Sequence, residues 1–235
     1  MVSSSEFISE LIVVLPLLAV LVFVYAAYWA FDIRKALAVP VYRRQALGIG
    51  LVSLGFALLV PSITGNFSLP QPLLQVPILI LFFWIDVTVL AARRSDPLVR
   101  DILQWRRVRI VLWALEIIAI VIGESLIVLT GQLFSNSINP VYWILPTFIT
   151  FTAGAVYLPF SALRSKDNTF RKHLGWFGLF LIVLLVGTIS SVSFAFSDIT
   201  FVLLIVTFII GGYCLYRGVR SLVPLNKLPI EANSK

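Results

Sequence analysis

The sequence has few charged side chains: Asp, Glu, Lys and Arg make up 12% of its 235 residues, whereas 60% are hydrophobic. A soluble domain carries about 25% charged and about 45–50% apolar residues. So few charges cannot solvate the surface of a closed globule, and the apolar side chains exceed what one core can bury. This scarcity excludes a soluble enzyme, a DNA-binding domain and a secreted disulfide scaffold, and it indicates an integral membrane protein.

Residues that bind transition metals are equally scarce. The chain has one cysteine, Cys214, one histidine, His173, and one methionine, Met1. A single cysteine cannot form a disulfide within the chain. Haem, copper and zinc sites draw mainly on His, Cys and Met. We therefore expect no such cofactor and no metal site.

Long apolar runs make up most of the chain. A helix needs about 20 residues to cross about 30 Å of hydrocarbon, and unbroken runs such as LIVVLPLLAVLVFVY (11–25) differ from the alternating segments of a barrel. The sequence predicts an all-α, seven-helix transmembrane bundle that forms one domain over residues 1–222, with a short cytoplasmic tail over 223–235. The predicted spans are 8–31, 45–64, 73–92, 110–131, 141–162, 174–196 and 199–216.

Positive charge is absent from every second loop. All 18 Lys and Arg residues fall in the first, third and fifth loops and in the tail. The positive-inside rule places such segments in the cytoplasm, so we expect an outside N-terminus and an inside C-terminus in the plasma membrane of a prokaryote. Because anionic headgroups face that side, the net charge of +7 predicts contact with lipid and not with nucleic acid.

The six Trp residues lie near the ends of predicted spans, where an aromatic belt meets the lipid headgroups. We expect Trp84 in this belt, and we expect His173, next to Lys172, at the same level. The headgroup anchors predicted at the basic side are Arg93, Arg94, Trp105, Arg106, Arg107, Arg109 and Trp176.

Acids within the spans are the main functional candidates, because charges in hydrocarbon are costly and rarely face lipid. Asp86 and Glu116 each lie seven residues from a basic side chain, Arg93 and Arg109, so both are expected roughly 10 Å inside the basic edge. Two carboxylates at one depth on neighbouring helices could share a proton or bind a cation. Glu124 lies about two turns beyond Glu116. The alternative interpretation is structural, with each acid tied to an arginine or a hydroxyl.

The sixth span contains GTISSVS (187–193), a run of small and hydroxyl residues. Such residues let helices approach closely and form hydrogen bonds between them. Helix packing is one interpretation of this run. The other is the wall of a polar cavity, which makes Ser190 and Ser191 candidates for binding a ligand, a proton or an ion.

In length and topology the chain resembles a microbial rhodopsin, but no span contains a Lys that could hold retinal, so we expect no cofactor. No pattern indicates a nucleophile with its base, which argues against an enzyme. Two functional classes remain open. One is a non-enzymatic protein, either an accessory or structural subunit of a membrane complex or a sensor-like binder of an apolar ligand. The other is a small secondary transporter or proton-coupled carrier that uses the intramembrane carboxylates. The expected partners are the lipid bilayer and either other membrane subunits or further copies of the chain.

Overall fold

The structure is a computed structural model. It describes residues 4–63, 80, 81, 84, 110, 111, 114, 117, 118, 121, 152, 154–166, 168–193 and 198–223. The long helices in these ranges are α1 (Ser4–Ala36), α2 (Pro40–Ile63), α3 (Asn168–Ser193) and α4 (Asp198–Arg220). Residues 154–164 are also helical, and the described part of the chain contains no β-strand. The described part of the chain is therefore all-α, as the sequence predicts.

Each of these four helices is long and apolar enough to cross a membrane. Their candidate spans are Phe7–Ala36, Tyr42–Ser62, Asn168–Ser190 and Asp198–Arg220. They correspond to the predicted first, second, sixth and seventh spans, with boundaries that differ by up to six residues. The prediction of long apolar helices that could cross a membrane is therefore confirmed for this part of the chain. The predicted spans 73–92 and 110–131, and the first half of 141–162, lie largely outside the described residues, so the count of seven stays a prediction.

A short turn joins α1 to α2 as a helical hairpin. Pro40 opens α2, where the missing N–H of proline is harmless because the first turn has no intrahelical acceptor for it. The Arg43 Nε donates a hydrogen bond to the Leu37 carbonyl. The Leu37 amide in turn donates to the Ile33 carbonyl over 3.1 Å. The side chain of α2 thus closes the turn that follows α1.

Helix α1 packs along α2 and along α4, and α3 packs along α4. The contact edge of α1 is built from small side chains, because Ala19, Ala26 and Ala30 are all fully buried. On α4, a Cβ at Gly212 would lie 2.7 Å from Cγ1 of Val22, so a larger residue there would force Val22 to move. Small residues let helices approach closely where lipid supplies no hydrophobic drive for association. Helices α1 and α4 are therefore neighbours.

One phenylalanine from each helix meets inside the bundle. The ring centroid of Phe56 on α2 lies 5.6 Å from Phe23 on α1, 5.7 Å from Phe180 on α3 and 5.9 Å from Phe208 on α4. Phe23 and Phe208 are themselves 6.1 Å apart. All four rings are buried. We call these residues the phenylalanine cluster, and it connects all four helices through direct ring contacts.

The four helices bring their basic ends together. Tyr42 near the start of α2 lies 6.2 Å from Phe170 near the start of α3, measured between ring centroids. Trp29 of α1 lies 6.2 Å from Tyr216 near the end of α4. We call this the basic end, because it carries every lysine and arginine among the described residues. These are Arg34, Lys35, Arg43, Arg44, Arg164, Lys166, Arg171, Lys172, Arg217 and Arg220.

The opposite end of the bundle is acidic. Glu6 and Glu10 lie in the first two turns of α1, and Asp198 is the first residue of α4. A carboxylate at a helix N-terminus and an arginine at a C-terminus both interact favourably with the helix dipole. For the residues that the structure describes, the cations that fall in alternate loops of the sequence therefore lie together at one end of the folded bundle.

Candidate functional site

The predicted carboxylate site lies outside the described residues. Asp86, Glu116 and Glu124 all belong to that part of the chain, so their matched depth stays a prediction. Ser190 is half-buried on α3, and the backbone of Ser191 continues the same helix. Of the predicted headgroup anchors, Trp176 is described; the others, Arg93, Arg94, Trp105, Arg106, Arg107 and Arg109, are not.

The small-residue run of the sixth span begins as a packing surface. A Cβ at Gly187 would overlap Cγ2 of Thr207 on α4 and would lie 2.8 Å from its Oγ1. The Thr207 hydroxyl donates to the Leu203 carbonyl at 2.8 Å, and the Thr188 hydroxyl donates to the Leu184 carbonyl at 2.8 Å. Both threonine hydroxyls are thus bonded within their own helices. At this level α3 and α4 are in close contact.

His173 is fully buried, and the expectation that it anchors the bundle at the headgroups is wrong. Its Nδ1 lies 3.1 Å from the carbonyl oxygen of Gly218 on α4. Because a carbonyl can only accept, Nδ1 carries the proton and donates. Carbonyls in the last turn of a helix have no intrahelical donor, so His173 caps α4 from the neighbouring helix. The Ser221 hydroxyl donates to the same oxygen at 2.6 Å.

Trp84 is also a core residue, and its predicted place in the aromatic belt is wrong. Its side chain is 1% exposed. The indole Nε1 donates to the backbone carbonyl of Gln45 at 3.2 Å, and the indole ring lies 5.9 Å from the His173 ring in an edge-to-face arrangement. The ring packs directly against Gly48, where any Cβ would overlap it. Helix α2 therefore holds Trp84 against α3.

Gln45, Trp84, His173 and the Gly218 carbonyl form what we call the buried polar layer. Buried polar groups are normally hydrogen-bonded. The Nε2 of His173 and the hydroxyl of Ser161, which lies on the helical segment 154–164, have no hydrogen-bond partner among the residues that the structure describes. No group of three His, Cys, Asp or Glu side chains suitable for a metal ion occurs in those residues either. Among the described residues, the layer offers hydrogen bonds.

A second group of polar residues lies on the surface of the basic end. The side chains of Tyr213, Tyr216, Arg217 and Arg220 follow one another at spacings of three, one and three residues, so they share one side of α4. The guanidinium carbon of Arg217 lies 5.1 Å from the ring centroid of Trp176 on α3. Arg220 Nη1 donates to the Tyr216 hydroxyl at 3.0 Å.

Aromatic rings of two other helices flank this side of α4. Trp176 of α3 lies 6.3 Å from Tyr213, edge to face. On the other side, Tyr25 and Trp29 of α1 lie 5.3 Å and 6.2 Å from Tyr216. A cation over an aromatic face is attracted to the ring, so Trp176 holds the Arg217 guanidinium, while Tyr25 and Trp29 pack against Tyr216, which holds Arg220. We call the whole group the Arg217 patch: Tyr25, Trp29, Trp176, Tyr213, Tyr216, Arg217 and Arg220.

Neither the buried polar layer nor the Arg217 patch was predicted, because each joins residues far apart in the chain. His173 follows two basic residues in sequence, but one helical turn places it on the same side as Phe170 and Phe177, inside the bundle. The spacing of tyrosine and arginine at the end of α4 was the available signal for the Arg217 patch. No family model, no curated protein and no solved structure matches the chain. Its function must therefore be inferred from its own residues.

Proposed function

We propose that this chain is a non-enzymatic, multi-pass protein of a prokaryotic plasma membrane and serves as an accessory subunit of a larger membrane complex. In this proposal seven helices cross the bilayer, with the N-terminus outside and the basic end in the cytoplasm. A sensor-like binder of an apolar ligand belongs to the same non-enzymatic class. The phenylalanine cluster is the observation that favours the subunit role most.

The cluster favours a rigid scaffold over a carrier. Phe23 and Phe56 come from the first two helices, whereas Phe180 and Phe208 come from the last two, and the ring centroids are 5.6–6.1 Å apart. A carrier with alternating access moves one half of its fold against the other. Aromatic contacts that join the start of the chain to its end oppose such a movement. A subunit that supports a partner benefits from the same rigidity.

Helix α1 offers the surface that such a partner would use. Leu17, Leu21 and Tyr28 are 65%, 64% and 65% exposed, and Val14 and Val24 are exposed in the same row. The row repeats at alternating spacings of three and four residues, which is the pattern of a seam between two helices. We assign this row to a transmembrane helix of the partner. Lipid is the alternative covering of the same face.

Co-purification tests the subunit role. The protein is extracted from native membranes in mild detergent, and we expect a stoichiometric partner to remain bound. Leu17→Trp with Leu21→Trp should release that partner, because bulky rings disrupt a helix seam. Leu179→Trp on α3, where the leucine is 42% exposed, is the matched control and should retain it. A lone, monodisperse wild-type protein would refute the subunit role, and a second copy of the chain as the retained partner would replace it with a homo-oligomer.

Cysteine labelling tests the orientation. Cys214 is buried and is first replaced by Ser, after which single cysteines are placed at the exposed positions Lys172 and Asp198. An impermeant maleimide applied to intact cells should label position 198 and spare position 172, since cations are retained on the cytoplasmic side. Labelling at 172 alone would reverse the proposed topology.

The alternative function is a proton-coupled carrier that uses Asp86, Glu116 and Glu124, with Ser190 and Ser191 as further binding residues. The position of three acids within predicted spans favours it. In proteoliposomes with an entrapped pH-sensitive dye, Asp86→Asn and Glu116→Gln should then abolish proton flux while the melting temperature is unchanged. Wild-type flux in both variants, or none in the wild type, would remove this alternative.

A further inference from the structure

We propose that the Arg217 patch is a binding site for the phosphate group of an anionic phospholipid, such as phosphatidylglycerol. The patch lies at the basic end of the bundle. The site does not depend on the proposed orientation, which determines only the membrane leaflet that supplies the lipid. The inference thus deepens the proposed membrane role by naming one lipid class and one place on the bundle.

The two guanidinium groups are fixed and available. Arg217 and Arg220 are exposed and lie three residues apart on one side of α4. Trp176 holds the first by a cation–ring contact and Tyr216 holds the second through its hydroxyl. Neither forms an ion pair with a carboxylate in the described ranges. A planar guanidinium binds phosphate oxygens in a two-pronged geometry that a lysine ammonium cannot reproduce.

Toward the patch, the exposed side chains of α4 change from apolar to aromatic to cationic, which matches the change in polarity along a phospholipid from acyl chain to phosphate. Val206 and Ile210 are 37% and 46% exposed, Tyr213 is 51% exposed, and Arg217 follows one turn later on the same side. From Val206 to Arg217 the helix rises roughly 16 Å. This is about half of a hydrocarbon core of about 30 Å. An acyl chain, a glycerol group and a phosphate would therefore meet apolar, aromatic and cationic side chains in turn.

Aromatic rings complete the walls of the site. Tyr25 of α1 is 51% exposed and contacts Tyr216, while Trp176 lies on the α3 side of Tyr213. Tyrosine and tryptophan prefer the headgroup level of the bilayer, because one part of each ring is apolar and the other polar. Lys166 and Lys172 are also exposed at the basic end, but no ring contact fixes either of them within the described residues. Arg164 also lies over a ring, that of Phe160, at 4.1 Å. The patch differs from such single contacts because it holds two guanidinium groups three residues apart on one side of α4.

Native mass spectrometry of the purified full chain, loaded with phosphatidylglycerol or phosphatidylcholine, tests the site. We expect the wild type to retain phosphatidylglycerol preferentially. Arg217→Lys with Arg220→Lys keeps the charge but removes the planar groups, and it should lower retention about tenfold. The matched control, Lys166→Gln with Lys172→Gln, removes two charges outside the patch and should retain the lipid as the wild type does. Equal melting temperatures of the proteins will show that the folds are comparable.

Three results would overturn the proposal. Wild-type retention by the Arg→Lys double variant would show that charge alone holds the lipid. An equal loss of lipid retention in the Lys166→Gln, Lys172→Gln control would likewise show that general charge, and not the patch, holds the lipid. Displacement of the lipid by millimolar inorganic phosphate would show a site for free phosphate and not for a phospholipid. Because the assay uses purified protein, its outcome depends neither on orientation nor on a partner subunit, so its failure and the failure of the subunit role are distinguishable.

Discussion

Removing the Phe56 ring is the sharpest test of the packing described above. Phe56→Ala deletes the ring that contacts Phe23, Phe180 and Phe208. Aromatic pairs contribute about 0.5–1.5 kcal/mol each beyond the area that they bury, and Phe→Ala in a protein core costs about 3–5 kcal/mol. The transfer part of that cost is small in a membrane, because lipid tails are as apolar as the interior. We therefore expect a loss of about 2–4 kcal/mol, from ring contacts and the cavity left behind.

Thermal unfolding in detergent, followed by tryptophan fluorescence, measures this loss. For a chain of this size each kcal/mol lowers the melting temperature by about 2–4 °C, so Phe56→Ala should melt about 5–15 °C below the wild type. Phe56→Leu keeps much of the apolar volume, so its melting temperature should lie between those of Phe56→Ala and the wild type. Leu58→Ala is the control on the same helix, because Leu58 is 58% exposed, and its melting temperature should stay within about 2 °C of the wild type.

Equal melting temperatures for Phe56→Ala and Leu58→Ala would refute the reasoning. Such a result would mean that the four rings do not pack against one another. The strongest argument for a rigid subunit, and against a carrier with two moving halves, would then be lost.

Two further predictions concern close contacts and caps, and both are read from the same unfolding assay. Gly187→Ala should destabilise the protein by about 1–3 kcal/mol through its clash with Thr207. The control, Gly175→Ala, should be neutral or stabilising, because a Cβ there meets no described atom within 4 Å. Equal shifts of the melting temperature in the two variants would contradict the α3–α4 contact. His173→Phe and Ser221→Ala should each cost about 0.5–1.5 kcal/mol. The double variant should lose about 1 kcal/mol more than the two single losses together, because the Gly218 carbonyl is then left without a side-chain donor; simple additivity would argue against a shared cap.

The four long helices could be predicted from the sequence because lipid leaves the backbone no other choice. Hydrocarbon offers no hydrogen bonds, so an apolar run of sufficient length must satisfy its own peptide groups as a helix. The segregation of lysine and arginine could be predicted for a similar reason, since moving a cation through hydrocarbon is costly. Both arguments depend on chain composition over 20 or more residues, and neither depends on which helices are neighbours.

The positions of individual side chains around those helices could not be predicted in the same way. In a soluble protein the buried side of a helix is its apolar side, but in a membrane both sides are apolar and the pattern is weak. His173 and Trp84 were therefore expected at the headgroups, although contacts with Gly218 and Gln45 hold them in the core.

The residue composition of this chain thus predicts helices long and apolar enough to cross a membrane, and the order of its residues predicts the cations at one end, where the described ones lie. The meeting of α1 with α4, the phenylalanine cluster and the Arg217 patch arise from packing between residues up to about 190 positions apart. Such contacts depend on shape, on small residues at crossing points and on the rotation of each helix about its axis. Local sequence supplies the small residues but does not determine which helices meet at them.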